Sequence, residues 1–416
     1  MALNWVWIGF FVTACATAVV RWWLGDEGIF TALLAALVDG ARAGFEVALG
    51  LAGIMALWLG LMRVGEQAGM IALLARVAAP LLRKLFPGVP QGHPAQGAMT
   101  MNISANLLGL DNAATPLGLT AMRELQTLNR EPPGTASDAQ IMFVVMNTAG
   151  LTLIPTSVIA IRQAIALKQG LVGFNAADIF LPTLLGTFVS FCAGLVAVAL
   201  WQRINLFSRP VLAFFAGFAA LMGGLYAWLN GMPPERMAQM IGLLGSGLIV
   251  SLIALFVAVA AWRRIDVYEA FVEGAKEGFG VAVQIIPYLI AMLAAISVFR
   301  TTGGMDYLIG AIRATVLALG LNADFVPALP VGLMKTLSGS GARGLMVDVM
   351  TTYGVDSFPG KLAAIIQGST ETTFYVLAVY FGSVNISKTR YAVACGLIAD
   401  AVGLVGAITA GYLFYH

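Results

Sequence analysis

Asp39-Gly-Ala-Arg-Ala-Gly-Phe45 and Glu273-Gly-Ala-Lys-Glu-Gly-Phe279 are one seven-residue phrase written twice, with four identities and two conservative exchanges. Each copy leads into an apolar stretch, then a charged amphipathic stretch (64–86 and 304–320), then a short apolar segment broken by Gly, Asn, Ser and Pro (95–122 and 325–350). Another apolar stretch follows in each copy. It opens on Asn147-Thr148 in the first and on Gln367-Gly-Ser-Thr-Glu-Thr372 in the second. A last apolar stretch closes each copy, at 179–202 and 391–414. The chain therefore reads as two homologous halves, 1–204 and 235–416, joined by a linking helix within 205–234.

Composition sets the environment. Of 416 residues, 59% are apolar and 11% are charged, against about 25% charged in a soluble protein. Too little polar surface exists for a soluble enzyme of this length or a disordered chain. A net charge of +2 leaves no basic excess for nucleic acid, so no nucleic-acid partner is expected. A membrane helix needs about 20 apolar residues. Nine stretches qualify, near 3–24, 43–62, 139–162, 179–202, 210–230, 238–262, 279–299, 359–383 and 391–414. The expected class is an all-α polytopic membrane protein with about nine transmembrane helices, since a β-barrel would show short alternating segments.

Cys15, Cys192 and Cys395 each lie inside an apolar stretch and read as packing residues, not as a disulfide framework. His93 and His416 have no metal-ligand spacing, so neither a metal nor a cofactor is expected. No nucleophile–histidine pair is available inside the membrane, so the chain is expected not to be an enzyme and no catalytic residue is assigned. Val12-Thr-Ala-Cys15 resembles a lipoprotein cleavage box without the preceding basic residue, and 3–24 is read as a retained span anchored by Arg21, Trp22 and Trp23.

The segments 95–122 and 325–350 read as re-entrant helical hairpins, because broken helices at membrane depth persist only where protein or a water-filled cavity satisfies the freed backbone. If neither crosses, each half has four spans, and the unmatched span at 210–230 inverts the second half against the first. A plain linker at 210–230, with 64–86 also spanning, is the competing arrangement. Lys and Arg distribution favours an N-terminus inside and a C-terminus outside.

Hairpin one reads Met101-Asn-Ile-Ser-Ala-Asn-Leu-Leu-Gly-Leu-Asp-Asn-Ala-Ala-Thr-Pro-Leu-Gly118. Asn102 and Asn106 share a helix face. Residues 109–112 supply a break, and Thr115 reads as an N-cap with Pro116 at the first helical position. Asp111 and Asn112 at the break would line a polar site. A turn capped by its own side chains accounts for one or two of these residues, not for all.

Hairpin two reads Lys335-Thr-Leu-Ser-Gly-Ser-Gly-Ala-Arg-Gly344. Its glycines fit a dinucleotide fingerprint formally, but no βαβ unit surrounds them. Ser338 or Ser340 would cap the following half-helix. Arg343 in its first turn opposes the helix dipole, which points to a partner. That partner is either an anionic solute or a carboxylate, Asp348 or Glu371.

Glu371 stands within an apolar span, with Gln367 four residues before it and Ser369 and Thr370 beside it. An ionisable group at membrane depth marks function by default. It would accept hydrogen bonds from a solute or carry a coupling ion. Asn147 holds the position equivalent to Gln367. Asp400 is a second acid in a span and, with Glu371, a candidate coupling residue; its counterpart is Ser190, and a helix–helix hydrogen bond between the two is the structural alternative. Gly40, Gly44, Gly274 and Gly278 read as close-packing positions.

These residues bring a family into view. The first half resembles the spore maturation protein A family through Trp58-Leu-Gly-Leu-Met-Arg-Val-Gly-Glu-Gln67, Lys84-Leu-Phe-Pro87, His93-Pro94, 106–118 and Leu153-Ile-Pro-Thr156. The second half resembles the spore maturation protein B family through Tyr268-Glu-Ala-Phe-Val-Glu-Gly-Ala-Lys-Glu-Gly278, Ile286-Pro-Tyr288 and Gly368-Ser-Thr-Glu-Thr-Thr-Phe-Tyr375. Both families belong to the nucleoside recognition, or gate, domain group. The resemblance implies a kinship with concentrative nucleoside transporters and with the gate regions of ferrous iron transporters. It also implies that the 367–371 run is similar in character to their nucleoside-binding hairpin segment. The spore families are associated with core dehydration.

The expectation is a multi-pass protein of the bacterial cytoplasmic membrane that moves a small polar or anionic solute, nucleoside-like or dicarboxylate-like. Its site would lie between the two hairpins. A proton or sodium ion is the expected coupling partner, with membrane lipid around the chain; a homo-oligomer is left open. The alternative is a non-transporting membrane scaffold or regulator of envelope or spore maturation.

Overall fold

The computed structural model describes residues 2–109 and 111–416, without the side chains of residues 2, 3, 111–113, 234, 235 and 238. The chain begins with α1 (Ala2–Trp23), α2 (Ile29–Gln67) and α3 (Met70–Leu85). A pair α4 (Pro94–Leu107) and α5 (Asp111–Thr127) follows, then a pair α6 (Asp138–Ala149) and α7 (Thr156–Lys168), then α8 (Phe180–Gln202). After α9 (Arg209–Leu229) come α10 (Pro234–Trp262), α11 (Val267–Thr301) and α12 (Gly304–Ala318). The same order then returns: a pair α13 (Leu329–Leu337) and α14 (Gly339–Tyr353), a pair α15 (Phe358–Ser369) and α16 (Thr373–Gly382), and α17 (Ala392–Tyr415). Among the described residues the only β-type pairing is an isolated bridge between Thr135 and Lys388.

The protein is all-α, and eight helical stretches among the described residues are long and apolar enough to cross a membrane. The sequence reading had a ninth, 139–162. That stretch is two half-helices, α6 and α7, parted at 150–155. Gly150 takes a left-handed conformation (φ 44°, ψ 71°), and Pro155 has no N–H to continue a helix and biases Ile154 away from helical geometry. The span expected at 359–383 is likewise interrupted, at 370–372. Glu371 therefore sits in a break, and the helical i, i+4 spacing expected from Gln367 does not hold. Both hairpins are broken, at 108–109 and at Ser338; the first break, expected at 109–112, does not extend to Asp111 and Asn112, which already belong to α5. Their arms have 14, 17, 9 and 15 residues, short of a full crossing. The two copies of the repeated phrase lie inside long helices. α2 has 39 residues, about 58 Å at 1.5 Å per residue, against a hydrocarbon core of about 30 Å.

Two compact units make up the chain, and each draws on both copies of the repeat. One comprises Met1–Trp58, Ser157–Phe174 and Ala275–Gln367; the other comprises Leu59–Thr156, Asn175–Gly274 and Gly368–His416. Lipid tails are as apolar as leucine, so helix association rests on close packing and hydrogen bonds. In the first unit Gly40 and Gly44 let α2 meet the α11 backbone, where added Cβ atoms would stand 2.7 Å from the Leu293 carbonyl and 2.8 Å from the Ile290 nitrogen. Gln169 ties two chain segments there, donating to the Met350 carbonyl (2.9 Å) and accepting from the Val355 amide (3.1 Å). The second unit is built around α6, whose Ile141 to Val145 are at most 1% exposed. Phe188 stacks on Phe218 at 3.6 Å between ring centroids.

Candidate functional site

Four helical ends of the second unit bring amides, a phenol and a carboxylate together. Asn106 on α4 donates to Asn147 Oδ1 on α6 at 2.8 Å. The Tyr380 hydroxyl on α16 donates to the same oxygen at 3.3 Å. Asn102, one turn before Asn106, donates to the Tyr380 hydroxyl (3.3 Å) and to the Ala114 carbonyl of α5 (2.7 Å). Asn147 itself donates to the Phe143 carbonyl at 2.9 Å. Asn102 is fully buried, and its Oδ1 has no hydrogen-bond partner. A polar chain of this kind in a low-dielectric interior fixes its members in one arrangement. Beside it, a cavity of about 300 Å³ has mostly apolar walls, among them Leu74, Ile103, Met146 and Phe214, with Asn106 on its lining.

Within the second unit the C-terminal end of α6 meets the unwound segment that precedes α16. The Glu371 amide donates to the Thr148 carbonyl at 3.0 Å, so one freed backbone group satisfies another. Gly150 lies directly beneath: a Cβ there would stand 2.8 Å from Glu371 Cγ. The Glu371 carboxylate, only partly buried, makes no side-chain hydrogen bond or ion pair among the described residues. Ser369, Thr370, Thr372 and Thr373 around it are all at most 9% exposed. The arrangement offers acceptor and donor groups at a helix break, which suits a polar solute held at membrane depth.

Several expectations change here. Thr115 is not an N-cap, because α5 begins at Asp111 and Pro116 lies inside it. A proline so near the start removes only one helical hydrogen bond, and Asp and Asn are residues that favour helix starts. The side chains of Asp111 and Asn112 lie outside the described residues. Asp348 is not the partner of Arg343. It accepts from two of the three guanidinium nitrogens of Arg300, Nε to Oδ1 at 3.3 Å and Nη2 to Oδ2 at 2.5 Å. Arg343 and Asp348 are five apart on α14 and face differently, whereas Arg300 on α11 aligns two donors with the carboxylate. Ser190 donates to the Ala399 carbonyl at 3.1 Å, next to Asp400, which is 8% exposed.

In the first unit Ser338 does cap α14, accepting from the Gly341 amide at 3.1 Å, with Ser340 Oγ 3.2 Å away. Arg343 is half-buried there and makes no side-chain hydrogen bond among the described residues. Gln367 is 3% exposed with Oε1 unpartnered.

Tyr380 escaped the sequence reading because it stands near the end of the 359–383 stretch, where a tyrosine reads as an interfacial residue. Arg162 escaped as well. It is fully buried, donates to the Val355 carbonyl (3.4 Å) and lies 5.0 Å from the Phe174 ring centroid. It is the last residue of the 139–162 stretch, a place where an arginine carries no signal of burial.

The gate family, described as nucleoside recognition, matches residues 48–164 and 282–387, together more than half of the chain. Spore maturation protein B of Bacillus subtilis (strain 168) is 42% identical over 170 residues, 41% of this chain and 94% of that protein. Spore maturation protein A of the same organism is 37% identical over 190 residues, 45% of this chain and 89% of that protein. With helices that cross a membrane several times and a polar site set at helix breaks, the chain is a multi-pass membrane protein and belongs to the gate family of nucleoside recognition domains.

Proposed function

We propose that this protein transports a small polar or anionic solute, nucleoside-like or dicarboxylate-like, across a bacterial cytoplasmic membrane, and that it is not an enzyme. The observation that carries the reading is Glu371: an unpaired carboxylate on an unwound segment, tied through its own amide to a second unwound segment and flanked by buried hydroxyls. Such a group accepts from a solute hydroxyl or amine, and the Asn106–Asn147–Tyr380 amides and phenol order the surface beside it. A proton or sodium ion would drive uptake, with inverted halves alternating access.

The test is a thermal-stabilisation screen of the purified chain in nanodiscs against nucleosides, nucleobases, dicarboxylates and amino acids, run on wild type, Glu371→Gln and Glu371→Ala. A saturable shift in wild type that falls in Glu371→Ala supports a solute site. The printed names of the two relatives favour a second reading, a non-transporting scaffold in spore or envelope maturation. Absence of any stabilising solute, together with a stable protein complex, would favour it instead.

A further inference from the structure

Helix α3 has 16 residues, short of a crossing, and it carries two arginines on one face. Ala72, Arg76, Ala79 and Arg83 follow each other at helical spacing, so they line up along that face. Together with α4 the face borders a groove of about 460 Å³, lined by both arginines, Ala75, Ala79, Gln96 and Thr100, all within the second unit. The alanines leave the space that larger side chains would fill. Gly97 on the α4 wall and Gly92 in the preceding loop have nothing within 4 Å of where a Cβ would stand, so the groove is open there. Arg76 and Arg83 are exposed, and neither makes a side-chain hydrogen bond or ion pair among the described residues. No acid lines the groove, and residues 67–110 hold Arg76, Arg83 and Lys84 but no Asp or Glu. Beside these cations the same helix leaves Leu73 52% and Val77 73% exposed. Water suits the arginines and not the leucine and valine; the interface of a bilayer suits both.

We infer that the groove between α3 and α4 binds an anionic phospholipid, with its phosphate on Arg76 and Arg83 and its acyl chains against the exposed apolar side chains of α3. The chemistry selects the class. A guanidinium presents paired donors that match phosphate oxygens, and basic pockets between membrane helices take phosphate-bearing lipid head groups in this way. A zwitterionic lipid brings a cationic amine with its phosphate, and the groove has no acid to receive it. A soluble phosphate would meet the arginines but leave Leu73 and Val77 bare. The lipid site stands independently of solute transport, because none of its residues belongs to the Glu371 and Asn147 cluster.

The experiment titrates the delipidated full chain, in a neutral detergent, with phosphatidylglycerol or with phosphatidylcholine of the same acyl chains. Thermal unfolding and the lipid retained in native mass spectrometry are the readouts. Wild type should show a saturable rise in midpoint with phosphatidylglycerol and none with phosphatidylcholine at the same concentrations. Arg76→Gln and Arg83→Gln should each weaken phosphatidylglycerol about fivefold, and the double variant about thirtyfold. Ala79→Leu keeps both charges and a good helix former but fills the groove, and should weaken it as much as either arginine variant. Arg130→Gln removes an exposed arginine of the same unit that does not line the groove, and should change nothing. Equal responses to the two lipids, or an undiminished one in the double variant, overturn the inference. So does a loss in Arg130→Gln matching that in Arg83→Gln, or an undiminished response in Ala79→Leu, since either means diffuse surface charge. Displacement of the lipid by equal concentrations of glycerol 3-phosphate would make this a site for soluble phosphate and overturn it too. If Ala79→Leu does not fold, the arginine variants set against Arg130→Gln decide.

Discussion

The Glu371 amide and the Thr148 carbonyl, 3.0 Å apart, join the unwound segment before α16 to the end of α6 through backbone atoms alone. The side chain of Glu371 plays no part in that joint. Substituting it should therefore leave the fold nearly untouched, within about 0.5 kcal/mol, the usual range for a residue without structural partners. We expect Glu371→Gln to unfold at the wild-type midpoint and keep some solute binding, because an amide oxygen still accepts a hydrogen bond, while losing concentrative uptake. Glu371→Gln that transports against a gradient as wild type does would remove Glu371 from the coupling step.

The Asn147 side chain behaves in the opposite way. Its Oδ1 accepts from Asn106 and Tyr380, and its Nδ2 donates to the Phe143 carbonyl. Asn147→Leu removes the acceptor of the Asn106 amide and the donor to the Phe143 carbonyl, and should cost roughly 1–3 kcal/mol. Tyr380→Phe removes one hydroxyl and should cost about 1 kcal/mol. Unfolding by denaturant titration in mixed micelles separates the two, and a larger loss for Tyr380→Phe would mean that the network is organised around the phenol.

Much of this architecture is legible in the residues. The repeated phrase at 39–45 and 273–279 announces the recurring element order, and Asn102 and Asn106 are readable as one face because helical periodicity needs no tertiary knowledge. Ser338 reads as a cap from its place before a glycine-rich turn. The breaks at 150–155 and 370–372 are hidden for a physical reason. Hydropathy averages about 20 residues, and three polar residues at 370–372 barely lower that average, while the backbone bond that makes the break tolerable comes from Thr148, more than 200 positions away. The same blindness left Asp348 open as a partner of Arg343, beside Glu371 and an anionic solute, whereas Arg300 reaches that carboxylate from another helix.

Arg300 and Asp348 form a two-point contact inside the first unit, with side chains 23% and 12% exposed. Removing one partner strands a mostly buried charge, which costs about 3 kcal/mol or more. Arg300→Met and Asp348→Leu should each destabilise by that order, and the double variant should recover most of the loss. Additive losses in a double-mutant cycle would show that the two charges are solvated independently.

Outside the spans, Tyr391 donates to Asp138 at 2.7 Å and accepts from Gln202 at 2.9 Å. Burial, and then the Asp138 carboxylate, push its phenol up from the ordinary value. A raised folded-state value means that this contribution is complete below about pH 10, where free tyrosine ionises, and is lost as pH rises beyond it. Tyr391→Phe should lower stability by about 1 kcal/mol at neutral pH and lose less than wild type on passing to pH 11. Parallel decline of the two proteins with pH would show that the phenol is not held by these contacts.

Gly150 supplies the most discriminating variant, because two demands meet on it. Its φ of 44° is left-handed, and a Cβ would collide with Glu371 Cγ at 2.8 Å. Alanine should suffer both effects, costing about 1 kcal/mol or more from the backbone alone and displacing Glu371 as well. Asparagine tolerates the left-handed region better than alanine, so Gly150→Asn should regain part of the stability while still carrying a Cβ. If the position of Glu371 governs solute binding, both variants lose solute-dependent stabilisation at least tenfold in concentration, whatever their midpoints. If only the backbone matters, solute response follows stability, and Gly150→Asn recovers the two together. A wild-type solute response in Gly150→Ala would separate the helix break from the binding site altogether.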